Sequence, residues 1–257
     1  MSEIDSRAII SPRARLGRAV RIGAYAVVGN DVELGDSCVL HPHAMLSGPS
    51  RFGRENVFHP FCSVGSDPQD LKYAGERSEL SVGDANVFRE YVTVNRGTAG
   101  GVTRIGNQNL FMVYAHIAHD CQVGSHIVFA NGATLAGHVT VEDYATVGAF
   151  SAVHQFCRTG RYSYIGGFTV ITQDVPPFSR VVTQRETRCY GVNTIGLERR
   201  GFDVGRIRAI EQAYRLLLRS KLNTTQAIEQ MRATLNGSAD VEELIQFIES
   251  AERGLTK

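Results

Sequence analysis

An apolar residue returns every six positions at Ile10, Leu16, Ile22, Val28, Leu34, Leu40, Leu46, Phe52, Phe58 and Val64. The phase resumes at Val82, Phe88 and Val94. It then runs from Ile105 through Phe111, Ile117, Val123, Phe129, Leu135, Val141 and Val147 to Val153, with Thr159 a polar exception before Ile165 and Ile171. A period of six matches neither a helix at 3.6 nor an amphipathic strand at 2. It fits a prism with short strands as its sides and tight turns as its corners. Three hexads close one coil, and coils stack at the strand spacing of about 4.8 Å. The hexads counted here make about eight coils. Glycine often follows the aliphatic residue, as at Gly17, Gly23, Gly35 and Gly124, and is expected to permit the turn. The fifth position is usually small. Cys38, Cys62, Cys121 and Cys157 occupy it and read as core fillers.

Two stretches break the phase. Asp70 and Glu76 fall in register between Val64 and Val82, and neither can face an apolar interior, so residues near 66–80 are expected to loop outward. The step from Val94 to Ile105 is too long for one hexad, which puts a second excursion near 96–103. Long loops on a rigid scaffold often carry function. The repeat ends around Asp174-Val175-Pro176-Pro177. Beyond it Asp203 can cap a helix carrying Ile207, Ile210, Ala213, Tyr214, Leu217 and Leu218, and shorter helices are expected near 224–235 and 239–253. The fold class is thus an all-β solenoid plus α, with a β-helix over residues 1–187 and an α-helical domain over 188–257. That domain can cover an open end of the solenoid.

Composition removes several functions. The formal charge of +1 gives no whole-chain field for nucleic acid or a membrane. No apolar run approaches the ~20 residues of a membrane span. The opening MSEIDSRAII lacks the form of a secretory signal, so the chain reads as cytoplasmic. Five cysteines without a CxxC pair argue against a disulfide framework or a structural zinc site.

Stacking turns the repeat into arithmetic, because residues eighteen apart lie above one another. His119, Gly137 and Gln155 form one column. Ala118, Ala136 and His154 form its neighbour, and Asp120, His138 and Phe156 the next. His116, His119, His138 and His154 therefore gather along one edge. Taken singly each could decorate a turn, as His41, His43, His59 and His126 are expected to. Four on one edge with a glycine between them point to a site. The alternatives are a zinc site formed by His116, His119 and His138, as in hexapeptide-repeat trimers of the carbonic anhydrase type, and a non-catalytic scaffold.

The segments DLKYAGE at 70–76, AHIAHDC at 115–121, NGATLAGH at 131–138, AVHQFC at 152–157, GVN at 191–193 and LERRGF at 197–202 resemble one family. It is the UDP-N-acetylglucosamine 3-O-acyltransferase family of lipid A biosynthesis, and the resemblance spans essentially the whole chain. It implies a left-handed parallel β-helix, a hand that hexapeptide-repeat proteins share against the usual crossover rule. It also implies transfer of a 3-hydroxyacyl group from acyl carrier protein to a UDP-amino-sugar, with no cofactor and no metal. By the same resemblance His119 is the general base and Asp120 orients it. The Gly137 amide is the oxyanion donor. Asp70, Lys72, His116, His138, His154, Gln155, Asn193, Arg199 and Arg200 are expected to serve the sugar nucleotide, the acyl chain or the carrier. Gly167 matches a position that sets acyl length across the groove of a homotrimer, or else is a turn residue like the other glycines. An open Gly167 argues for a long chain such as 3-hydroxymyristoyl. Glu186 departs from the histidine common in the family, with Arg185 and Arg188 beside it, and leaves the acceptor atom open between oxygen and nitrogen. The basic residues Arg199, Arg200, Arg206, Arg208, Arg215, Arg219 and Lys221 suit an acidic carrier protein, or form an ordinary solvated helix face.

Overall fold

The computed structural model describes residues 2–183, 189, 191–251 and 255. Arg185, Glu186 and Arg188 lie outside the described residues. The chain divides into two compact units, Met1–Thr183 and Gln184–Lys257.

In the first unit, 27 strands of two to four residues among the described residues form three parallel sheets of ten, nine and eight strands. These are the three faces of a left-handed parallel β-helix. Face one begins at Glu3–Ile4, face two at Ile9–Ile10 and face three at Arg15–Leu16. The solenoid is longer than the hexads counted from Ile10. Ile4 keeps the phase, and Glu3–Ile4 pairs with Arg21–Ile22. At the other end Val175 bridges Thr159, and Arg180–Val181 pairs with Tyr164–Ile165 beyond the two prolines. Pro176 and Pro177 fall between those pairings, where no ladder N–H is required. The periodic aliphatics fill the interior as expected. Phe58, Phe88 and Phe111 stack on one another along face one and Phe129 meets Phe111 edge-on, all fully buried.

The corners differ from expectation. The left-handed residue of each turn is not the glycine after the aliphatic but the residue two further on, and it is rarely glycine: Tyr25, His43, Phe61, Asp120, His138 and Tyr144 all have φ between 59° and 64°. This backbone costs roughly 1–2 kcal/mol per non-glycine residue. Stacking of the same position coil on coil, as in Tyr144 on Tyr162 at 4.7 Å, offsets part of that cost. The glycines answer a different need. A Cβ on Gly35 would lie 2.5 Å from the Gly53 carbonyl of the next coil, so glycine lets the coils approach. Buried asparagines also occupy the small slot. Asn56, Asn86 and Asn109 hydrogen-bond upward in a ladder, each also donating to a corner carbonyl. The four cysteines of that slot are buried and free. Burial pushes the Cys62 and Cys121 thiols up to about 12, which leaves them unreactive fillers.

The second unit holds α1 (Thr194–Arg199), α2 (Val204–Arg219), α3 (Thr224–Thr234) and α4 (Ala239–Glu249). Each starts on a side-chain cap, from Asn193, Asp203, Asn223 and Ser238 in turn. The sequence predicts the last three, with α4 ending earlier than expected, and leaves α1 unresolved as a separate helix. Ala213, Leu217, Ala227, Ile228, Met231, Val241, Ile245 and Ile248 form its core. Among the described residues no helix is long and apolar enough to cross a membrane.

Candidate active site

Five neighbouring levels of one edge, between faces two and three, form the candidate site. The first excursion leaves there, between Ser63–Ser66 and Glu79–Val82. The second leaves one coil later, between Thr93–Asn95 and Val102–Ile105. His119 and Asp120 turn the next corner, after His116–Ile117 and before Gln122–Val123. Gly137 and His138 follow, then Gln155 and Phe156. Both insertions thus grow from the edge that bears the histidines.

His119 and Asp120 are both largely shielded, and His119 Nδ1 lies 2.9 Å from Asp120 Oδ2. With the Asp120 carboxylate accepting from Nδ1–H, the lone pair of Nε2 is left for chemistry. His138 meets His119 edge-on at 5.2 Å between ring centroids, and its Nε2 is 3.8 Å from the same Asp120 oxygen. Phe156 of the next coil stacks on His138. Thr98, on the second excursion, donates to Asp120 from its hydroxyl at 2.8 Å and from its amide at 3.1 and 3.2 Å. The Asp120 amide donates to Thr103 Oγ1 at 2.8 Å. Burial pushes the Asp120 carboxyl up, but hydrogen bonds from His119 and from the Thr98 hydroxyl and amide outweigh it and hold the group below the usual range.

Gly137 packs against the His119 ring: a Cβ there would sit 2.5 Å from Cε1 and 2.7 Å from Nε2. On the edge between faces three and one, the amides of Arg18, Arg54 and Ser125, each two residues after the aliphatic as Gly137 is, donate to an aspartate of the next coil. For Gly137 that slot holds Gln155, and among the described residues the Gly137 N–H has no acceptor. A lone pair and an unpaired amide therefore converge across one glycine.

The remaining expected residues take different places. His116 lies on the face-two strand that leads into this corner, with Nδ1 hydrogen-bonded to Thr93 Oγ1 at 2.7 Å. Burial, then the neighbouring His119, pushes its pKa down. His154 is exposed and contacts its own neighbour, the Gln155 carbonyl, at 3.3 Å. Asp70 and Lys72 ride the first excursion, where Asp70 accepts from the Lys72 amide. The buried Arg96 ties the two excursions together, bonding to the Gly65 carbonyl at 2.6 Å and pairing with Asp67. Gly167 lies between Tyr164–Ile165 and Val170–Ile171, on the corner between faces one and two. In the second unit Asn193 caps α1 through Gly196, and Arg199 and Arg200 are exposed at that helix's end. Arg206 is held by Asp240 at 2.7 and 2.9 Å and lies over the Phe202 ring, so it is not the open cation the sequence suggests.

The zinc alternative meets a different arrangement from the one expected. Among the described residues the cluster with ligand atoms within 4.8 Å is His119, Asp120 and His138, and His116 is outside it. Thr98 and Thr103 are the residues the sequence reading missed. The signal available for them was only that an excursion occupies 96–103.

A solenoid of acyltransferase hexapeptide type, with a histidine–carboxylate pair on one edge, is the class these features define. The family model described as UDP N-acetylglucosamine O-acyltransferase, domain 2, matches residues 174–256, and that of the bacterial transferase hexapeptide matches residues 13–48. The chain is 49% identical to the acyl-[acyl-carrier-protein]–UDP-N-acetylglucosamine O-acyltransferase of Stenotrophomonas maltophilia, over 99% of this chain and 97% of that one. It is similar to the solved structure of LpxA from Acinetobacter baumannii, with 40% identity, a TM-score of 0.70 and 99% of each chain covered. It is also similar to the UDP-N-acetylglucosamine acyltransferase of Francisella novicida, with 35% identity, a TM-score of 0.69, and 98% of this chain and 92% of that one covered. The chain belongs to the acyl-[acyl-carrier-protein]–UDP-N-acetylglucosamine O-acyltransferase family.

The contact at Gly137 gives a direct test. Gly137→Ala forces the His119 ring aside while leaving the coil's aliphatic core untouched. Activity is expected to fall by about 10²-fold, the scale of a small misplacement of a reacting group, with the circular dichroism of the parent. Parent-level turnover in this variant would mean that the ring position is irrelevant.

Proposed function

We propose that this protein transfers a 3-hydroxyacyl group from acyl carrier protein to the 3-hydroxyl of UDP-N-acetylglucosamine, in lipid A biosynthesis and in the cytoplasm. The observation that carries the mechanism is the His119 ring, held at Nδ1 by Asp120 with Nε2 beside the unpaired Gly137 amide. A sugar hydroxyl is a poor nucleophile at neutral pH, and His119 Nε2 takes its proton as the oxygen attacks the thioester carbonyl. The new C–O bond leaves an oxyanion, which the Gly137 N–H receives. Collapse breaks the C–S bond, and the imidazolium returns its proton to the departing thiolate. Asp120 stabilises that imidazolium without itself being protonated. Asp70, Lys72, His116, His138, His154, Gln155, Asn193, Arg199 and Arg200 bind the sugar nucleotide, the acyl chain or the carrier.

The assay uses 3-hydroxyacyl carrier protein with UDP-N-acetylglucosamine and, separately, its 3-amino analogue, and follows release of the carrier thiol. His119→Ala is expected to lower kcat by about 10²–10⁴-fold, the usual contribution of a general base. Near-parent turnover would remove His119 from the mechanism.

The active assembly is a homotrimer in which each site lies between two chains. The catalytic edge forms one wall only, and Phe150, Phe156 and Phe168 stand 55–65% exposed on the corners. Exposed aromatics of this size fit an interface. Sedimentation equilibrium should return three times the 28.1 kDa chain mass. A fully active monomer would contradict the shared site.

Gly167 leaves the groove between subunits open for a long acyl chain such as 3-hydroxymyristoyl. A Cβ at Gly167 would meet only the Ala149 carbonyl at 3.2 Å and amide at 3.7 Å, so a side chain there needs little adjustment. Each buried methylene contributes about 0.8 kcal/mol. Gly167→Met is therefore expected to shift preference to a shorter chain while sparing turnover with it, read by competing donors of different length. Equal loss with every length would make the glycine a folding requirement instead.

A further inference from the structure

We propose that Thr98 is a positioning residue of this site: it holds the Asp120 carboxylate on His119 and away from His138. The inference rests on His119 being the base. Asp120 has two histidines within reach, His119 Nδ1 at 2.9 Å and His138 Nε2 at 3.8 Å from the same oxygen. The terminal torsion of an aspartate is soft, so the choice between them needs another contact. Thr98 supplies it with three donor contacts, the hydroxyl to Oδ2 and the amide to both oxygens.

The second excursion is shaped around this carboxylate. A Cβ on Gly101 would stand 2.0 Å from Asp120 Oδ1, so the loop backbone lies directly against the acid. Gly97 and Gly101 pack too closely for side chains, a Cβ on Gly97 meeting the Gly101 carbonyl carbon at 2.3 Å, and Gly100 takes φ +70°. Three glycines in six residues close a tight loop whose Thr98 faces inward. The titratable groups facing Asp120 are His119 and His138, while His116 faces His119 from face two. The excursion adds only the Thr98 donors, and below them the Thr103 hydroxyl accepts the Asp120 amide.

A carboxylate held against an imidazolium favours the charged ring. Removal of the Thr98 hydroxyl frees the Asp120 carboxylate to turn toward His138 and weakens its hold on the His119 imidazolium. The weaker hold lowers the pH at which the pair takes up its first proton. The acid limb of kcat/KM, which reports the pair as a unit, then moves to lower pH.

The test compares Thr98→Val, Thr98→Ser and His119→Ala in the transfer assay across pH. Thr98→Val is expected to lower kcat by roughly tenfold, the effect of one charge-assisted hydrogen bond, with KM little changed and the acid limb shifted downward. Thr98→Ser should restore both. Thr98→Cys, which retains only a weak donor, serves if the valine variant does not fold, and the same losses are expected. Parent kcat and an unmoved acid limb in Thr98→Val, beside an inactive His119→Ala, would overturn the positioning role and leave the base intact. Equal impairment of Thr98→Ser and Thr98→Val would mean that the methyl packs the loop, and would also overturn it. Full activity in His119→Ala would sink the base and this inference together.

Discussion

Backbone hydrogen bonding between residues eighteen apart is the constraint on which the rest of the molecule depends. Each strand is too short to be stable alone, and each coil finds its partners only in the coils above and below. Ile22 over Leu40 and Val128 beside Thr146 repeat one register along the solenoid. That register places a left-handed residue at most corners and favours glycine where corner backbones approach as closely as Gly35 and Gly53 do. It also places every sixth side chain on a known edge. A row of aligned functional groups is therefore a by-product of the hydrogen-bonded stack, needing no separate folding event.

Much of this was legible in the sequence. The aliphatic phase gave the prism, and in-register Asp70 and Glu76 revealed the first excursion. The column of His119, Gly137 and Gln155 followed from counting, and the contact of Gly137 with the His119 ring bears that column out. What periodicity cannot report is why a residue recurs. The recurring glycines suggested turn conformation, whereas they serve close approach between coils, and the turn itself falls on aromatic, histidine and aspartate residues. The Asn56–Asn86–Asn109 ladder was hidden for a related reason. The two excursions stretch its spacing to thirty and then twenty-three residues, so an eighteen-residue count does not connect its members. Thr98 was beyond sequence reading altogether, because its loop has no period to project.

The placement of the excursions has a chemical logic. A bare solenoid edge presents side chains outward, with water on one side and little to fix a rotamer. His119 needs its Nδ1 occupied and its Nε2 open, which an exposed edge does not guarantee. A loop growing from the preceding coil covers the carboxylate from the side, and the imidazole beside it keeps only a small exposed area. The next coil contributes a glycine where any larger residue would displace the ring. The His119 ring is thereby fixed from below and above.

Arg96 gives the two excursions a common fate. Its guanidinium is buried, and its partners, the Gly65 carbonyl and Asp67, stand where the first excursion begins. If that excursion detached, a cation would be stranded inside the protein, at a cost of several kcal/mol. Two residues beyond Arg96 stands Thr98, whose contacts grip Asp120. Insertions separated in the chain thus form one cooperative unit, and the segment that carries Asp70 and Lys72 is mechanically continuous with the carboxylate behind the His119 imidazole.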